Sequence, residues 1–187
     1  MKIQLLNRNH FAAIQEISDV QFGFNYMNKS YLESFLEDDN FGLVALIEAE
    51  IVGMTLVKIG TRDEIAADFL VGAEFIKEKF NSYTKLALRK HLAVKKGFES
   101  RGIGSIMVEK GMQELNKKFI DAILSIVWKE GSSAALHKIL TDQGSMPLTS
   151  FPNYWANDSI EKQYICPACK VIPCNCSAIL YAKFITI

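Results

Sequence analysis

Apolar positions recur along the chain at two periods, and these divide it into strands and helices. Residues 2–6 read as a short strand, and residues 10–20 as a helix with Phe11, Ile14 and Ile17 on one face. Ser30 and Glu33 fit a capping box, with the hydroxyl at the N-cap and the carboxylate three residues on, which predicts a second helix over 31–37. Residues 42–48 and 51–59 are rich in Val, Ile and Leu and flank Ala49-Glu50, the pattern of an antiparallel hairpin. Ile65, Phe69, Ala73, Ile76 and Phe80 lie at helical spacing, which predicts one amphipathic helix over 62–80. A strand follows at 86–94, then a glycine-bearing loop at 97–104. The helix after it runs to about residue 118 with Ile103, Ile106, Met107 and Leu115 on one side. Residues 120–127 form another apolar strand; Ser132 or Ser133 caps a helix through Leu140, which Gly144 ends. Residues 143–158, with Pro147 and Pro152, read as loop, followed by a short strand near Tyr164 and a last strand over 178–187.

No repeat, low-complexity tract or linker interrupts this order, so residues 1–187 are expected to form a single α/β (α+β) domain. Its sheet should be mixed, with six to seven strands flanked by helices.

Composition narrows the class. With 49% hydrophobic residues and 12 Phe, the chain has enough apolar surface for a sizeable core. Its 21 Lys and Arg cancel 21 Asp and Glu, which argues against a dedicated nucleic-acid binder, because phosphate binding is driven by excess cationic charge. No apolar run approaches the ~20 residues needed to cross a bilayer, and the apolar start is broken at Asn7-Arg8-Asn9-His10. A soluble, cytoplasmic protein without a membrane partner is expected.

The most informative stretch runs from His91 to Met107. A strand feeds a glycine turn that feeds a helix, so first-turn backbone N–H groups point outward where the helix dipole adds partial positive charge. That geometry binds phosphate. Spacing excludes a Walker A loop, since Ile103 follows Gly102, and a Rossmann fingerprint, since Met107 stands where Gly or Ala is required. Residues 85–118 also hold nine Lys and Arg against three Glu, which favours an anionic ligand. A plainer reading is that Gly102 and Gly104 merely let a strand turn closely into a helix.

Leu92-Ala93-Val94 followed by Glu99-Ser100-Arg101-Gly102-Ile103-Gly104-Ser105 resembles motif A of the GNAT superfamily, the acetyl-CoA-dependent N-acetyltransferases. The preceding hairpin and the succeeding helix, strand and helix come in the same order across most of the chain. The resemblance implies a mostly antiparallel sheet and transfer of acetyl from acetyl-CoA to a primary amine, on a small molecule or a peptide. It implies that backbone groups of Leu92, Ala93 and Val94 meet the pantetheine arm and that the amides of residues 99–105 hold the diphosphate. One departure is Glu99, where the family has Gln or Arg; its carboxylate would repel a diphosphate if it pointed inward.

Catalytic residues do not carry over. Many GNAT enzymes place a Glu base on the strand before the loop, where this chain has Leu88, and a Tyr acid in the helix after strand five, where it has Ile139 or Leu140. Tyr31, Glu74, His91, His137 and Tyr154 are candidates by residue type, but for each a structural role is the simpler reading. The alternative to an enzyme is a GNAT-fold protein that binds acyl-CoA without turnover. The aromatic connector Phe22, Phe24 and Tyr26 lies where the family builds its acceptor pocket, and the 62–80 insertion precedes the cofactor strand; either could shape substrate choice, and core packing is the plainer reading for both.

All four cysteines fall in one short stretch, Cys166-Pro-Ala-Cys169, Cys174-Asn-Cys176. Two close pairs can converge on one tetrahedral ion, which predicts a structural zinc clip within 164–178. A redox pair at Cys166 and Cys169, or unligated thiols, are the alternatives. A zinc-ribbon nucleic-acid module is disfavoured, because such modules separate their pairs by ~15–20 residues.

Overall fold

The computed structural model describes residues 1–37, 39–129 and 134–185. It opens with β1 (Lys2–Leu5), a 3-10 turn at Arg8–His10 and α1 (Phe11–Gln21). A connector leads to α2 (Lys29–Glu33), then the hairpin β2 (Phe41–Ile47) and β3 (Glu50–Thr61). Next come α3 (Arg62–Ala67), α4 (Ala73–Lys79), β4 (Lys85–Val94), α5 (Ile103–Leu115) and β5 (Ala122–Trp128). The order closes with α6 (Ala134–Asp142), β6 (Met146–Phe151), α7 (Ala156–Lys162) and β7 (Ala178–Phe184).

The seven strands form one mixed sheet in the order β1-β2-β3-β4-β5-β7-β6. Every pairing is antiparallel except β4 with β5. One face is covered by α1 and α2, through Phe11, Ile14, Ile17 and Leu32 on Met54 and Leu56, and by α3 and α4, through Ile65 and Ile76 on Leu86, Leu88 and Leu124. The other carries α5, through Leu115 against Val57, Ala87 and Ile123, and α6, through Leu140 on Val127. None of the described helices is long and apolar enough to cross a membrane.

Several boundaries differ from expectation. The N-cap of α2 is Asn28, whose side chain accepts from Tyr31 N at 2.8 Å, rather than Ser30. The single helix expected over 62–80 is two, because Gly72 takes φ +89° as the N-cap of α4 and Phe69 and Leu70 lie in the break. The expected 143–158 loop contains β6 and the start of α7. Pro147 does not prevent β6, which lies at a sheet edge where a missing N–H costs no ladder bond. No strand forms near Tyr164, and β7 ends at Phe184. The expected caps Ser132 and Ser133 lie outside the described residues.

Candidate active site and four-thiol centre

β4 positions most of the site. It pairs with β3 as far as Val94 but with β5 only from Leu86 to Arg89, so the two central strands part beyond that point. The last pair, Arg89 and Ser125, is bridged by a 2.9 Å bond from Arg89 Nη1 to Ser125 Oγ, and burial brings that guanidinium down to about 10. Against β3 the register jumps, Val57 facing Arg89 and Leu56 facing His91, so Lys90 is an extra residue in a bulge. The bulge returns His91 to the face of Leu86 and Leu88. It therefore points toward the α1–α2 connector.

A cavity of about 650 Å³ runs through the gap. At one end it is lined by Phe98, Glu99, Ser100 and residues 102–105. Gly102 (φ +75°) is the N-cap of α5 and has no side chain to cap the helix. A Cβ placed there would have no protein atom within 4 Å, so the backbone is open to close approach by a ligand. In its middle the cavity meets residues 90–94 and 126–128, and at the far end an aromatic basin that includes Phe22, Tyr26, Tyr31, Tyr154, Trp155 and Tyr164. Phe24 of the connector is exposed instead.

The basic excess expected around the loop is largely engaged elsewhere. Lys85 and Lys118 pair with Asp39, Lys95 with Glu50 and Lys90 with Asp68. The Arg101 guanidinium lies 4.9 Å from the Phe98 ring centroid and donates to Gly97 O at 2.9 Å. Anion attraction at this end therefore rests on backbone amides. Glu99 lines the cavity, but its carboxylate turns back onto its own loop and accepts from Gly97 N at 2.6 Å. Backbone N–H groups of Glu99 itself and of Gly97 hold it below the usual carboxylate range, against a smaller desolvation effect.

In the basin, Tyr31 Oη and His91 Nε2 are 2.7 Å apart. Burial, reinforced by Lys90 and Lys162, pushes His91 well below the ordinary imidazole value, and burial likewise raises Tyr31. Both groups are neutral at pH 7. Two ion pairs flank them: Lys90 with Asp68 at 2.9 Å, and Lys162 with Asp158 at 2.8 Å. Asp158 also accepts from Tyr164 Oη at 3.0 Å, and Lys162 Nζ lies 4.8 Å from the Tyr26 ring centroid. Of the other candidates, Tyr154 lines the basin and accepts from Leu70 N at 3.3 Å. His137 is bound between Tyr181 Oη and Trp128 O, each at 2.9 Å. Glu74 is paired with Lys77 on α4, outside the cavity lining.

The sulfurs of Cys166, Cys169, Cys174 and Cys176 all lie within 4.8 Å of one another. Cys166 approaches Cys176 at 3.8 Å and Cys169 approaches Cys174 at 3.6 Å, so these contacts cross between the two sequence pairs. A tetrahedron with ~2.3 Å zinc–sulfur bonds has edges of about 3.8 Å, whereas a disulfide needs ~2.05 Å. The four thiols are unbridged, and three are buried. Cys174 is pushed up to about 12 by burial. Cys169 comes down to about 7, where burial is outweighed by hydrogen bonds from the backbone of Val171 and Asn175.

By sequence, no family model and no curated protein matches the chain. Solved structures do match in shape. The ribosomal-protein-S18-alanine N-acetyltransferase from Escherichia coli superposes with a TM-score of 0.69 at 14% identity, covering 100% of this chain and 94% of that one. NAA60 from Arabidopsis thaliana, solved in complex with acetyl-CoA, gives 0.70 at 11% identity and 98% of both chains. A polyamine N-acetyltransferase from Drosophila melanogaster gives 0.64 at 12%, covering 98% of this chain and 100% of that one. The full-length matches agree with the parted central strands and the glycine turn: the chain has the fold of the GNAT N-acetyltransferases.

Proposed function

We propose that residues 1–187 act as one N-acetyltransferase unit, which moves an acetyl group from acetyl-CoA to the primary amine of a small-molecule or peptide acceptor. The observation that carries this reading is the single cavity joining the open first turn of α5 to an aromatic basin through the gap between β4 and β5. Amides of residues 99–105 would hold the diphosphate, and the β4 edge at Leu92, Ala93 and Val94, freed from β5, would meet the pantetheine. The resemblance in fold to a ribosomal-protein-alanine N-acetyltransferase and a polyamine N-acetyltransferase supports an amine acceptor.

Bound acetyl-CoA supplies an activated thioester, and much of the acceleration then comes from position. The residues of this chain must also accept the amine proton. Leu88 stands where the family places a carboxylate, and the Tyr31–His91 pair takes over that work. With His91 neutral, the Tyr31 oxygen accepts a proton from the amine while its own passes to Nε2; as the new C–N bond forms, the acetyl–sulfur bond breaks, and the departing CoA thiolate takes up one proton, which resets the pair when it is returned from Nε2 through Tyr31.

The Cys166, Cys169, Cys174 and Cys176 thiols hold one structural zinc ion in the same proposal, because their spacing matches a closed four-thiolate site. Such a site has no position for substrate.

The second reading, acyl-CoA binding without turnover, is favoured by Leu88 and by Glu99 at the diphosphate end. Calorimetry with acetyl-CoA, followed by mass spectrometry of alkylamines, polyamines and peptides incubated with the protein, separates the two. Binding with an acetylated product supports the enzyme. Binding without product across the panel leaves the second reading, and no binding overturns both.

A further inference from the structure

We infer that the four-thiol centre is a wall of the acceptor basin, so that metal loading shapes the acceptor half of the cavity independently of the acetyl-CoA half. The inference rests on the functional reading above and adds control of its acceptor side.

Cys166 and Cys174 themselves line the cavity. The buried cluster of Tyr164, Cys166, Cys174 and Cys176 packs directly on Tyr26 and Trp155 of the basin and on Trp128 at its inner edge, all three lining the cavity. Tyr164 sits edge-on to Tyr26 at 5.0 Å, and its hydroxyl holds the buried Asp158 carboxylate at 3.0 Å. Cys174 N donates to Ser159 Oγ on α7 at 2.8 Å, and Tyr154 N donates to Cys176 O at 3.0 Å. Each end of the cysteine segment is thus tied to a residue of the basin or of its helix. None of these contacts reaches residues 102–105.

Residues 163–177 form neither helix nor strand. A segment of that kind has few ladder bonds to hold it, and cross-linking by a metal supplies the missing constraint. One divalent zinc with four thiols gives a tetrathiolate of formal charge −2 and releases four protons to solvent, with no change of oxidation state. When the ion leaves, the sulfurs part, and Tyr164, Trp155 and Tyr26 lose the surface they pack on. The glycine turn at the other end keeps its supports in β4 and α5.

The test needs no knowledge of the acceptor. The chain has two tryptophans, and both Trp128 and Trp155 line the cavity and touch the cysteine cluster. The zinc-loaded full chain is compared with the same protein stripped by a chelator under reducing conditions, with zinc measured by elemental analysis and backbone structure by far-UV circular dichroism. Zinc removal is expected to shift tryptophan emission to the red and to raise acrylamide quenching, both restored by zinc. Acetyl-CoA affinity by calorimetry should stay within about a factor of two, as for sites that do not share partners. Cys169→Ser, at one of the two cysteines outside the cavity lining, should lose zinc and reproduce the shift.

Unchanged emission in zinc-free protein or in zinc-free Cys169→Ser overturns the inference. So does a protein that takes up no zinc, or a joint collapse of dichroism and acetyl-CoA affinity, which would make the metal a clamp on the whole fold. Failure of the zinc-loaded protein to bind acetyl-CoA would strike the functional reading instead, while the emission change still decides this one.

Discussion

Tyr31 and His91 are 60 residues apart in sequence and 2.7 Å apart in space, phenol oxygen to imidazole nitrogen, in the basin beside the parted strands. If the pair accepts the amine proton, Tyr31→Phe removes the relay and leaves the ring. The acetylation rate should fall by roughly 100-fold, within the usual range for losing general acid–base help, with acetyl-CoA affinity unchanged. A Tyr31→Phe protein with the wild-type rate on an accepted amine would assign the pair to packing alone.

His91 also sets a pH signature. Burial depresses its folded pKa well below the ordinary 6.5, so below about pH 6.5 the unfolded chain binds a proton that the folded one does not. The His91 contribution to stability is therefore full above pH 6.5 and is lost as the pH falls from there toward the folded pKa. Melting temperatures of wild type and His91→Gln between pH 5 and 8 should show a shallower acid decline in the variant. Parallel curves would mean that folding does not disfavour the charged imidazole of His91.

At the glycine turn, Gly102→Val puts a branched side chain at φ +75° and into the open approach to the first-turn amides. Acetyl-CoA affinity should fall at least tenfold by calorimetry, a change of about 1.4 kcal/mol. Retained affinity would move the diphosphate elsewhere.

Glu99 competes for amides of the same loop. Glu99→Gln removes the negative charge at the diphosphate end, and acetyl-CoA should bind more tightly by about 1 kcal/mol, less at high salt. Equal affinity would show that the carboxylate swings clear on binding.

Gly72 joins the two insertion helices. A Cβ there would stand 2.3 Å from Phe151 Cε1, on a backbone already at φ +89°. Gly72→Ala should cost on the order of 1–3 kcal/mol, read as a drop in melting temperature. An unchanged melting temperature would mean that Phe151 moves aside freely.

The elements legible in the sequence are those whose signal is local. Leu92-Ala93-Val94, the glycine pair and the Ile103, Met107, Leu115 stripe announce β4, the turn and α5 because strand alternation, turn chemistry and helical period each act within a few residues. The same locality misled at 62–80, where Gly72 falls inside an unbroken apolar period and only its φ betrays the break. β6 hid behind Pro147, since the sequence does not say which strand will be an edge. The candidate site divides in the same way. The glycine-turn end is one contiguous stretch and could be read. The Tyr31–His91 pair, the contact of Tyr164 with Tyr26 and the place of the cysteines on the basin arise only when distant segments meet, and no spacing encodes them.

The strand order carries a consequence for how the molecule comes together. β6 pairs with β7 alone, and β7 lies between it and β5. Although β6 is made first, it has no place in the sheet until the later strand has docked, so the two must close as a unit, with α7 and the thiol segment carried between them. That order of assembly concentrates long-range contacts in the last step, the kind that slows folding most. Zinc supplied during refolding, by closing the thiol segment early, should speed that step more than it speeds formation of the β2–β3–β4 meander.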